Sequence, residues 1–101
     1  MRWRALAAAA ALALAAASAG AQEEEGRRLF HSVTPACALC HALQDAGATG
    51  AVGPSLDELK PDKARVLEAV RKGVGVMPPF AGKLTPEQIE ALADFVAKSV
   101  Q

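Results

Sequence analysis

Two cysteines and a histidine stand together at Cys37-Ala38-Leu39-Cys40-His41, thiols three residues apart with an imidazole directly behind the second. Three chemistries use such a cluster. The thiols can add across the two vinyl groups of a haem while the histidine meets the iron, they can cycle as a redox dithiol, or all three side chains can form part of a zinc grip. By chance the pentapeptide arises in a domain of this size on the order of once in a thousand, so it is a signal that needs a chemical account.

The rest of the chain discriminates among the three. Zinc requires a fourth ligand, and His31 is the only other histidine. A dithiol oxidoreductase of thioredoxin type sets its Cys-x-x-Cys at a helix start among β-α-β strands, and no stretch here alternates as a strand should. A haem iron calls for a second axial ligand. Beyond the N-terminal leader the chain offers one methionine, Met77, thirty-six residues after His41 in the run Gly73-Val74-Gly75-Val76-Met77-Pro78-Pro79-Phe80. A lone Met is ordinarily a core filler. Loop-forming glycines and prolines around it, downstream of Cys-x-x-Cys-His, favour iron ligation instead. His31, a rival ligand by type, falls on the exposed side of the first helix.

These groups need elements to position them. Glu23-Glu24-Glu25 suits the positive end of a helix dipole, and Gly26, Leu29, Phe30 and Val33 follow at helical spacing, with Pro35 ending the helix. The cysteine motif continues as a further helical turn, which puts both thiols on one side. Residues 44–59 shift to Gly, Ala, Ser, Thr and Pro and predict an irregular loop. A helix follows over 61–72, with Pro61 in its first turn, Val66, Leu67 and Val70 on its apolar side and Gly73 as a left-handed stop. The run around Met77 is extended, since two prolines forbid helix. Thr85-Pro86-Glu87-Gln88 reads as a capping box opening a last helix, whose apolar stripe is Ile89, Leu92, Ala93 and Val96 with Phe95 beside it. The expected fold class is all-α.

Residues 1–21 read as a secretory signal: Arg2 and Arg4 ahead of an apolar run from Ala5 to Ala17, then Ala19-Gly20-Ala21 as a cleavage site. Thirteen apolar residues, mostly alanine, fall short of the roughly 20 that span a bilayer, so no stable membrane insertion is expected. The mature chain, residues 22–101, is one small domain of eighty residues without Trp or Tyr. A domain of that size and composition needs a staple, metal or cofactor to complete its core. Two of the eleven basic residues leave with the leader, so nine face eleven acidic ones, a balance that excludes a nucleic-acid binder. Charge is unevenly spread: net −4 over 23–59 and net +2 from 60 onward, where Lys60, Lys63, Arg65, Arg71 and Lys72 cluster and can orient an acidic partner.

Taken together, the Gly26/Phe30 helix, Cys37 to His41, Gly53-Pro54, the Met77 run and the Phe95 helix resemble a class I c-type cytochrome, over essentially the whole mature chain. The resemblance implies a small cytochrome c fold of three to four helices wrapped around one covalently attached haem c. It implies terminal helices crossing at Gly26, Phe30 and Phe95, Cys37 and Cys40 as covalent anchors, and His41 and Met77 as axial iron ligands. It also implies that the Pro54 carbonyl orients His41. The expected function is periplasmic one-electron transfer from a dehydrogenase to a downstream cytochrome or oxidase, without enzyme activity of its own. The loop Ala46 to Pro61 is similar to that of the haem subunit of periplasmic sulfite dehydrogenases, whose donor is a sulfite-oxidising molybdoenzyme. A gas-binding or catalytic haem protein with a displaceable Met77 is the competing class. The departure from the family is the missing Trp and Tyr, which leaves the haem propionates without an assigned partner.

Overall fold

The computed structural model describes residues 2–101, and side chains from Ala10 onward with the exception of Ala16. Helix α1 spans Arg2–Ser32 without a break. In the full chain the glutamate run therefore lies inside the helix, whereas a chain beginning at Gln22 would carry it in the first turn. The reason is local: alanine is the strongest helix former, and nothing between Ala5 and Ala21 stops the helix. Leu12 and Leu14 are exposed, and among the described side chains the buried face of α1 begins at Gly26. The domain is thus built from α1's second half onward.

Cys37–Cys40 form the single turn α2, followed by two short antiparallel strands, β1 (Ala42–Leu43) and β2 (Ala48–Thr49), which pair Ala42 with Thr49 and Leu43 with Ala48. A 3-10 turn over Gln44–Ala46 joins them and closes at Gly47, whose φ of 63° suits glycine. Two-residue strands are too short to show alternation, so the sequence reading lacked them. Further along, Ser55 caps a second single turn, α3 (Leu56–Leu59). Residues 44–59 are therefore tightly folded and not irregular throughout.

Helix α4 (Lys63–Lys72) starts two residues later than the sequence implied, because the Asp62 carboxylate caps it by accepting the Arg65 N–H at 2.8 Å. Pro61 lies buried just ahead of that cap. Gly73 ends α4 at φ 73° and ψ 166°, a positive φ but not the left-handed helical stop. A side chain there would meet the Met77 carbonyl at 2.5 Å and Pro79 N at 2.9 Å, so the returning loop demands glycine. Helix α5 (Pro86–Ser99) opens as expected: Gln88 N–H donates to Thr85 Oγ1 at 3.1 Å and Thr85 N–H to Gln88 Oε1 at 2.9 Å.

The core forms where α1 crosses α5. Phe30 and Phe95 meet edge to face, their ring centroids 6.0 Å apart, and Leu29, Leu92, Ala93 and Val96 are buried around them. A Cβ on Gly26 would lie 2.5 Å from that of Phe95 and collide with the Ala91 carbonyl, so glycine lets the two backbones touch. Helix α4 packs on α5 through Val66 and Val70. The architecture is all-α apart from the two-strand ribbon.

Candidate functional site

Between α1, α2, α4 and the Met77 loop lies a cleft of about 380 Å³, lined by Cys37, Cys40, His41, Pro54, Met77 and a surround of Phe, Val, Leu, Pro and Ala side chains. All five predicted site residues face it. His31 does not, and it is exposed on α1.

His41 follows directly on α2, whose turn closes with His41 N–H donating to Cys37 O at 2.9 Å. Its ring is fixed by the segment that crosses it. His41 Nδ1 lies 2.7 Å from Pro54 O. A carbonyl oxygen only accepts, so Nδ1 carries the proton and Nε2 keeps its lone pair for a metal. Gly53 permits this approach: a Cβ there would sit 2.6 Å from His41 Cε1 and 2.9 Å from Nδ1, and Gly53 N–H donates to Cys40 O at 2.7 Å. Gly50 serves the same crossing, since its Cβ would meet Cys40 C at 2.6 Å and His41 N at 2.7 Å. Asp57 closes the loop from its far end, its Oδ2 accepting the Gln44 N–H at 2.8 Å. The sequence pointed to Gly53-Pro54 but missed Gly50 and Asp57. Only the close approach of two backbones reveals why they matter.

Met77 is presented by a tight turn in which Val74 N–H donates to Met77 O at 3.1 Å and Met77 N–H to Val74 O at 2.9 Å, with Gly75 at φ 57°. Phe80 N–H then donates to Val70 O at 2.8 Å and ties the loop to α4. The thioether is held at the cleft by backbone bonds on both sides.

Cys37 and Cys40 are unbridged thiols on the cleft wall. Burial pushes the Cys37 thiol up to about 11, against a hydrogen bond that lowers it. At neutral pH it is protonated, the reverse of what a dithiol exchange catalyst needs. Among the described residues, no group of three or more His, Cys, Asp or Glu side chains is arranged to hold a metal ion. A haem fits this site on the chemistry of its walls. The apolar lining matches a flat macrocycle, two thiols stand one helical turn apart, and a preset imidazole shares the cleft with a thioether.

Residues 21–96 match the family described as cytochrome c oxidase, cbb3-type, subunit III. The chain belongs to the c-type cytochromes. Among solved structures, the c-type cytochrome SorU from Sinorhizobium meliloti is 49% identical, with a TM-score of 0.77 over 80% of this chain and 93% of SorU. A comparison with curated proteins finds no match. The cytochrome is a monohaem class I protein carrying one covalently bound haem c, and electron transfer is its business. Among the described residues, none of its helices is long and apolar enough to cross a membrane.

Proposed function

We propose that this cytochrome is a periplasmic one-electron carrier. Residues 1–21 are removed on export, Cys37 and Cys40 would hold the haem covalently, and His41 Nε2 and Met77 sulfur would hold its iron. When bound, the haem supplies an iron that gains and loses one electron. The protein's part is to hold both axial groups, keep water off the iron and orient the imidazole. One observation carries the reading: His41 Nδ1 is committed to Pro54 O at 2.7 Å, in an apolar cleft that also contains Met77.

Each arrangement has an electronic consequence. A hydrogen bond from Nδ1 raises the imidazole's basicity, and the half-buried thioether and apolar walls disfavour the extra charge of ferric iron. A haem held by both His41 and Met77 would leave its iron no open place for a substrate, as a carrier requires. The donor class we infer is a dehydrogenase, with a cytochrome or oxidase as acceptor. Similarity of the Ala46 to Pro61 loop to sulfite dehydrogenase haem subunits favours a sulfite-oxidising molybdoenzyme as donor.

The test is the visible spectrum of the purified protein, oxidised and reduced. His/Met ligation predicts a low-spin spectrum with the weak long-wavelength sulfur-to-iron band, and resistance of the reduced protein to carbon monoxide. Met77→Ala should lose the band, bind carbon monoxide and lower the potential. A band that survives the substitution would exclude Met77 as ligand. Ready carbon monoxide binding by the unaltered protein would shift the reading to a gas-binding haem protein.

A further inference from the structure

Arg65 is the one Lys, Arg, Asp or Glu side chain among the described residues that lines the cleft. It sits in the first turn of α4, next to buried Val66, with an exposed guanidinium at the cleft's mouth. Its neighbours in the basic cluster are differently engaged. Lys63 is held by Glu90 at 2.6 Å and Asp94 at 3.0 Å, and Lys72 lies 3.6 Å from Glu68. Arg65 has no acidic side chain within ion-pair distance among the described residues, and the other unpaired cations, Lys60, Arg71 and Lys83, lie outside the lining.

A haem brings two carboxylates into a cleft whose walls are otherwise apolar. An ionised carboxylate left without a partner there is costly, and the planar guanidinium fork matches carboxylate geometry bidentately. We propose that Arg65 is the counter-ion of a haem propionate, filling the role left open by the missing Trp and Tyr. The proposal rests on the haem assignment above. The basic cluster is then divided between two roles, with Arg65 serving the cofactor and the outward cations left for partners.

The consequence is a potential insensitive to pH. Reduction removes one positive charge from the iron, so a nearby carboxylate binds a proton more tightly in the ferrous state, and between the two affinities the potential falls as pH rises. A guanidinium alongside keeps the carboxylate ionised in both states and confines that window to acid pH. No other group facing the cleft substitutes for it. Phe30 of α1, Val96 of α5 and the Val74 to Phe80 turn carry no charge, the Asp62 carboxylate is bound to the Arg65 backbone N–H, and the cysteines and His41 are consumed by attachment and ligation.

The experiment is potentiometric titration of the haem-loaded protein across pH for the unaltered chain, Arg65→Gln, Arg65→Lys and Arg71→Gln, each with its spectrum recorded. Arg65→Gln should keep the sulfur-to-iron band, lower the potential at neutral pH and move the pH-dependent segment toward neutrality. Arg65→Lys should fall between it and the unaltered protein. Arg71→Gln, which loses the same charge outside the cleft, should leave the pH profile in place. Coincident profiles for Arg65→Gln and the unaltered protein overturn the proposal, as does an equal displacement in Arg71→Gln. Should Arg65→Gln not accumulate, Arg65→Lys decides: a profile identical to the unaltered one, with no fall in potential, overturns it. A missing haem spectrum in the unaltered chain would instead overturn the proposed function itself.

Discussion

At the crossing of α1 and α5, protein meets protein. Phe30, Leu92, Ala93 and Phe95 are all at most 3% exposed, and Gly26 brings the backbones into contact. Across the molecule, the Met77 turn leaves Val74 and Val76 at 64% and 92% exposure beside an apolar cleft. The first region is complete by its own side chains and the second is not. The crossing is filled by the chain's own side chains, whereas the cleft walls need a flat apolar body to bury them. The chain has thus separated the part that folds from the part that works, and Phe30 belongs to both, since it packs on Phe95 and lines the cleft.

Breaking the first region should cost the most. Phe95→Ala removes the ring that Phe30 meets at 6.0 Å and over which the Arg27 guanidinium lies at 4.9 Å. A loss of about 3–5 kcal/mol is expected, read by chemical denaturation of the haem-loaded protein. Gly26→Ala tests the same contact from the other helix. Its Cβ meets the backbone of Ala91, which cannot swing aside, and the expected loss is about 1–3 kcal/mol. An unchanged unfolding midpoint in Gly26→Ala would show that the crossing gives way easily and that the two regions are less distinct than described.

The same division explains what the sequence made legible. The crossing could be read from Gly26, Phe30 and Phe95, and α5 from its capping box, because spacing and caps are local signals. Cys37, Cys40 and His41 stood out by pattern, and Met77 by being the one methionine besides Met1. What stayed hidden depends on segments distant in sequence meeting in space. Gly50 matters only because residues 50–53 cross the backbone of Cys40 and His41. Arg65 looked like one member of a surface cluster until the cleft separated it from Lys63 and Lys72. The continuous α1 is a different case: the alanines carry the helix through the glutamate run in the full chain, and removal of residues 1–21, as proposed, would return that run to a first turn.

The smallest expected effect lies behind the cleft's histidine, at Asp57. Its carboxylate accepts the Gln44 N–H at 2.8 Å and so pins residues just after His41 to those just after Pro54, the two partners of the imidazole bond. Asp57→Ala leaves the α1/α5 crossing untouched and should cost about 1 kcal/mol, with most of the response confined to this loop. Hydrogen exchange can see that confinement. The Gln44 amide should exchange faster while the amides of Phe95 and Val96 keep their protection. Asp57→Asn, which retains an acceptor oxygen, should restore most of the protection at Gln44. Equal acceleration in the loop and in α5 would mean that the cleft wall and the crossing unfold as one unit, and that the helices draw part of their stability from the haem side after all.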